Sequence, residues 1–254
     1  MLRKTVVLLA FVAIACHAAP KSDDDMIDRV YKHIRVGDYE GAVDDTVKLE
    51  SMGKGELISQ LVRKLIDEGQ KNMMTYAYDV YVENPDIIKD RFPLQFRMIL
   101  EGSTVKLINK RDNLALKLSY AGDSDGDKTA YGDSNDKTSE RISWKFIPSP
   151  ENEKIYFKIL NIPTQMYLKA GVAEDRVGDH EVYGSSVADG TRHQWYLVPV
   201  YYEGDLLFYI YNRAYSQALK LGRDLDRDND RQVYTNYADV IGKPELFGFY
   251  IKPL

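Results

Sequence analysis

The segment Gly122-Asp123-Ser124-Asp125-Gly126 fits G-x-S-x-G, the pattern that lifts a nucleophilic serine onto a strained turn in esterases. His180 and His193 follow it, as a serine–acid–histidine chain order requires. Such a serine sits between a strand and a helix, because the helix end supports the oxyanion hole. Here Asp127-Lys128-Thr129-Ala130-Tyr131 leads toward another strand, and related loops at 171–183 and 222–234 lack the motif. The residues therefore read as an acidic hairpin loop. No catalytic residue is expected and esterase activity is a remote alternative.

The same loops raise the chemistry of a calcium site. Asp123, Asp125 and Asp127 alternate, as do Asp224, Asp226, Asp228 and Asp230. An EF-hand needs Gly at its sixth position and Glu at its twelfth. Counted from Asp123 those positions hold Lys128 and Ser134, and from Asp224 they hold Asn229 and Thr235. Asp226 and Asp228 accordingly read as ordinary solvated positions. His33, His180 and His193 show no H-E-x-x-H spacing and read as single surface histidines. Neither metal nor cofactor is expected. Trp144 and Trp195, with Phe249 in the third place, could stack on sugars; their repetition in alternating strands favours core packing instead. Asn109, Asn161 and Asn212 are expected to shape turns.

The elements that carry these residues fall into two kinds. Of 254 residues, 44% are apolar and 29% charged, with a formal charge of −5, which gives no basic footprint for nucleic acid. No stretch reaches the roughly 18 apolar residues that span a bilayer. Arg3 and Lys4, the apolar run Val6–Ala15 and the small residues at Cys16-His17-Ala18 describe a secretory signal over residues 1–18, cleaved after Ala18 or Ala19. Its removal would take the charge to −7 and remove Cys16, the single cysteine, leaving a secreted chain without disulfides.

Residues 19–101 then read as a helical domain. Ser22 and Asp23–Asp25 cap a first helix through Met26, Ile27, Val30, Tyr31 and Ile34, which stops at Gly37. Asp38 caps a second that ends near Gly53. Leu57, Ile58, Leu61, Val62, Leu65 and Ile66 mark a third, stopping at Gly69. A fourth, around Met73, Ala77, Val80 and Tyr81, ends at Asn84-Pro85, with short helical pieces up to Gly102.

From residue 102 to 254 the apolar period becomes two and a repeat emerges. VKLIN, FKILN and FYIYN begin at 105, 157 and 208, offsets of 52 and 51. Lys117, Lys169 and Lys220 are equivalent, as are Tyr131, Tyr183 and Tyr234. Each unit closes on WKFIP, WYLVP or FYIKP. Three β-units predict a β-trefoil, so the fold class is α+β: an N-terminal all-α domain followed by a C-terminal β-trefoil. Its core should hold Val105, Leu107, Phe157, Ile159, Phe208, Ile210 and the closing aromatics.

FKILN, YLKAG and WYLVP, in that order after a signal and a helical segment, resemble the silkworm 30-kilodalton haemolymph lipoproteins. The resemblance implies a secreted, non-enzymatic haemolymph storage protein that carries lipid or another small apolar ligand. It implies glucan recognition in plasma defence as the alternative. The trefoil half also faintly resembles ricin-type lectins, whose units end near Q-x-W. Ile142, His193 and Phe247 stand where that Gln belongs, and Lys117, Lys169 and Lys220 stand near the lectins' sugar-binding Asp. No lectin site is carried over, so the ligand-binding residues are unassigned. A monomer is expected, with lipid and possibly glucose polymers as partners and no nucleic acid.

Overall fold

The computed structural model describes residues 23–133, 140–237 and 239–254. The signal reading of residues 1–18, the Ser22 cap and Ser134 lie outside them. Six helices come first: α1 (Asp23–Val36), α2 (Tyr39–Ser51), α3 (Gly55–Asp67), α4 (Met73–Glu83), α5 (Pro85–Arg91) and α6 (Leu94–Leu100). Asp38 caps α2, accepting the Gly41 N–H at 3.1 Å. Asn84 ends α4 and caps α5, accepting the Asp86 N–H at 3.2 Å, with Pro85 where its missing N–H costs nothing. The apolar stripe of α3 (Ile58, Leu61, Val62, Leu65, Ile66) is buried throughout.

Twelve antiparallel strands follow: β1 (Val105–Asn109), β2 (Ala115–Leu118), β3 (Lys128–Asp133), β4 (Trp144–Glu151), β5 (Lys154–Asn161), β6 (Met166–Glu174), β7 (His180–Ser185), β8 (Trp195–Tyr202), β9 (Asp205–Asn212), β10 (Ala218–Leu221), β11 (Arg231–Asn236) and β12 (Gly248–Pro253). Six of them close a ring, β1–β4–β5–β8–β9–β12 and back to β1. The other six form hairpins β2–β3, β6–β7 and β10–β11. Strands β3, β7 and β11 pair with one another, drawing the hairpins into a triangle.

The alternation predicted from sequence is met. Val105, Leu107, Phe157, Ile159, Phe208 and Ile210 are buried inside, as are Trp144, Trp195 and Phe249. The third unit inserts a short helix, α7 (Pro244–Phe247), where the others make single 3-10 turns at Glu140–Ile142 and Thr191–His193. That helix accounts for the longer interval before Phe249. One apolar core runs from the helices into the strands. Phe92, Phe96 and Phe208 form a chain of edge-on rings at 5.6 and 5.9 Å, so α6 seats on the ring.

Candidate functional site

The three acidic loops are built alike. The Oδ1 atoms of Asp123, Asp175 and Asp226 each accept two backbone N–H groups. Asp123 takes those of Asp125 and Asp127 at 2.9 Å, and Asp226 those of Asp228 and Asp230 at 2.8 and 3.0 Å. Each loop turns through one left-handed residue, Gly126, Gly178 or Asn229, with φ of +82°, +84° and +63°. The amides of Asp179 and Val177 hold the Asp175 carboxyl below the ordinary carboxylate range. These carboxylates serve their own loops, and no metal-holding group of His, Cys, Asp or Glu occurs among the described residues. Asp226 is thus a structural residue, contrary to its reading as an ordinary solvated position.

The repeated lysines are held by carboxylates, although Lys169 also borders a polar cleft of about 340 Å3 with Asp123, Asp127, Glu181 and Arg192. Lys117 binds Asp230 at 2.5 Å and Asp133 at 2.8 Å, Lys220 binds Asp179 at 2.6 Å, and Lys169 binds Asp127. The aspartates 127, 179 and 230 are themselves equivalent, so each lysine reaches the loop of the preceding unit. The result is a cyclic ring of ion pairs that ties the three hairpins together. Its lysines are neutralised internally. Burial raises the Asp230 carboxyl, against the pull of Lys117.

Ser124 is exposed at its loop tip. His180 and His193 are buried, not superficial as the sequence suggested. His180 stacks on Tyr215 at 3.8 Å, and His193 Nδ1 lies 2.6 Å from the Asp189 carbonyl. Burial lowers the His193 pKa and keeps the ring neutral. His33 Nδ1 lies 2.6 Å from Asp38, on the helical side. Chemistry joining Ser124 to a histidine has no geometric support here. Trp144 and Trp195 are buried, donating to the Leu116 and Leu168 carbonyls at 2.7 and 2.9 Å. They offer no stacking platform. Asn109, Asn161 and Asn212 do shape turns and do more: each Nδ2 donates to a carbonyl three residues before the closing aromatic, at 2.9, 2.7 and 2.8 Å.

Two further clefts lie where the α3–α4 connection crosses β8 and β9. A cleft of about 280 Å3 is bounded by Lys71 from the α3–α4 connection, Met74 and Thr75 from α4, Lys154, Ile155, Tyr156, Tyr196 and Leu197 from β5 and β8, and Arg213 from the turn after β9. The Ile155 N–H donates to Thr75 Oγ1 at 3.3 Å, joining the two halves at its floor. Arg213 lies 4.2 Å over the Tyr156 ring and is oriented by Glu151, at 2.9 Å. A second cleft of about 190 Å3 is lined by Val198, Val200, Tyr201, Tyr209, Tyr211 and Ile241, with Asp67, Glu68 and Lys71 at its rim. Tyr196 and Tyr211 stack at 5.0 Å with their planes nearly parallel, and contribute one ring to each cleft. Burial pushes the Tyr209 and Tyr211 phenols up to about 12, so both are neutral at physiological pH.

Nothing in residue spacing announced these clefts, yet the repeats carried a signal. Tyr209 stands where the first two units have Lys106 and Lys158, and Tyr196 where the first has Lys145. The outward face of β8–β9 is therefore apolar where its counterparts are charged.

These features define a class: a helical segment seated on a repeated antiparallel β-body, offering an aromatic cleft. The chain belongs to the family described as lepidopteran low molecular weight (30 kD) lipoprotein, whose profile matches residues 24–253. It is similar to microvitellogenin of Manduca sexta, 52% identical over 99% of both chains. Low molecular mass lipoprotein PBMHP-6 of Bombyx mori is 41% identical over 97% of this chain and 96% of its own. Among solved structures, the SDF2-like protein from Arabidopsis thaliana shares the fold of the β-body. It is 14% identical, with a TM-score of 0.50, over 60% of this chain and 96% of that one.

Proposed function

We propose that the chain is a secreted, non-enzymatic haemolymph protein that serves as a reserve and carries lipid or another small apolar ligand. The observation that carries this reading is membership of a lipoprotein family across residues 24–253. The second cleft beside β8 and β9 supplies apolar space, and the first, adjoining it at Lys71, supplies polar and cationic groups, a combination that suits a ligand pocket. Residues 102–254 are read as a β-trefoil, supported by the six-strand ring and the triangle of hairpins, and residues 19–101 as the helical domain. The buried tryptophans remove the stacking groups that glucan recognition would have used, which puts that reading second.

Organic-solvent extraction of the native protein, followed by mass spectrometry of the extract, tests carriage. A stoichiometric lipid is expected. An empty extract from carefully purified protein, together with retention on a glucan resin, would replace this reading with the carbohydrate one. N-terminal sequencing of the circulating protein should begin at Ala19 or Pro20, and light scattering should give the mass of one chain.

A further inference from the structure

The two clefts differ in charge. The first is bounded by three cations, Lys71, Lys154 and Arg213, and no carboxylate lines it. Arg213 is shared with Glu151, whereas Lys71 and Lys154 make no ion pair among the described residues. The second cleft is apolar inside, and its rim carries Asp67 and Glu68, which would repel an anion. Lys71 borders both clefts, and the Tyr196–Tyr211 stack bridges them. A ligand that satisfies both ends needs an anionic head for the first and a hydrocarbon tail for the second.

We infer that this double cleft binds a single-chain amphipathic anion of the long-chain fatty-acid class. Its carboxylate lies among Lys71, Lys154 and Arg213, and its chain crosses the stacked tyrosines toward Val198 and Val200. The orientation follows from Coulomb attraction at one end and desolvation of hydrocarbon at the other. Tyr196 and Tyr211 suit this passage, being neutral, flat and already ordered by stacking, so little further entropy is lost when a chain lies on them. The assignment rests on the carrier reading above and narrows it to one head-group charge and one place.

Full-length protein, stripped of bound lipid on a hydrophobic resin, would be titrated calorimetrically with oleate and with oleyl alcohol, which has the same chain and no charge. Oleate should bind at least about tenfold more tightly, on the order of one charge-assisted hydrogen bond. That preference should shrink as salt is raised. Combining Lys71→Ala with Lys154→Ala should cut the preference severalfold, with Arg213 the remaining cation, and should weaken oleate far more than the alcohol. Val200→Lys should weaken both ligands, because it places a charge on the tail's path. Equal affinity for the two ligands overturns the anionic assignment, and a preference undiminished by the double lysine substitution overturns the placement of the head group, while carriage stands in both cases. Failure of both ligands to bind, with a lipid still present in the native extract, overturns the site and not the carrier reading.

Discussion

The hairpin face and the β8–β9 face are made from the same repeat and end up opposite in character. On the hairpin face the three units share one pairing: Lys117, Lys169 and Lys220 each meet an aspartate of the preceding unit, with Lys117 adding Asp133 of its own. Charge there is largely paired internally, and the cleft beside Lys169 and Arg192 is lined by polar and charged groups rather than by apolar surface. On the β8–β9 face the third unit departs from the other two, with Tyr209 in place of lysine and a short helix before the closing strand. Aromatic surface there is left facing the helices. In this molecule symmetry serves cohesion, and its local failure leaves open clefts beside β8 and β9.

The comparison can be broken first at the shared core. Trp195→Ala should cost about 3–5 kcal/mol, as for other buried large aromatics, read as a denaturant midpoint shift at constant slope. A wild-type melt would mean the repeated core is not what holds the body together. Lys117→Met comes next: it removes the cation that Asp133 and Asp230 share and should cost roughly 3 kcal/mol. Changing Asp133 and Asp230 to apolar residues in the same protein should recover much of that loss, because the uncompensated charges go with them.

Smaller effects sharpen the distinction within the acidic loops. Asp226→Ala removes the acceptor of two backbone amides and should cost on the order of 1–2 kcal/mol. Asp125→Ala, at an exposed loop tip, should stay within about 0.5 kcal/mol. Equal melts for these two variants would return Asp226 to the solvated class. On the cleft side, Lys71→Ala and Lys154→Ala should each leave stability within about 0.5 kcal/mol, since neither is paired. A large loss at either would mean that the cleft cations serve cohesion after all.

Acid separates the regions by sign. The carboxyls of Asp175, Asp205, Glu50 and Glu151 lie below their ordinary values, held by backbone amides at Asp175, by Lys110 at Asp205 and by arginines at Glu50 and Glu151. Their stabilisation is complete above the unfolded carboxylate pKa, about 4, and is lost as pH falls through the lower folded values. Asp230 is raised, so its contribution is present at low pH and is lost as pH rises through its folded pKa. Melting temperature should therefore fall on acidification below about pH 4, and Asp230→Asn should flatten any loss above it.

Much of this was legible along the chain. Helical spacing located α1 to α4 with their glycine and asparagine ends, and the alternating repeats located the strands and the buried side chains. Both are local periodicities that burial on one face imposes. What spacing could not supply was partnership across units. Asp226 and Asp228 look alike in sequence, yet the loop closes so that only the Asp226 carboxylate receives two amides. His180 and His193 look like surface residues until the hairpins cover them.

The sequence by itself determined that helices precede three copies of one β-unit, which residues of each copy are apolar, and that no disulfide is available to hold them. Only the tertiary structure decided that each repeated lysine would reach the neighbouring unit's aspartate rather than a sugar, and that β8 and β9 would turn their tyrosines toward α3 and α4. The physical reason is that periodicity records which side of an element is buried, whereas charge pairing and cleft formation depend on what another element brings to that side. Residues 71, 154 and 213 are far apart in the chain, and they border one cleft because the helical segment packs against the ring.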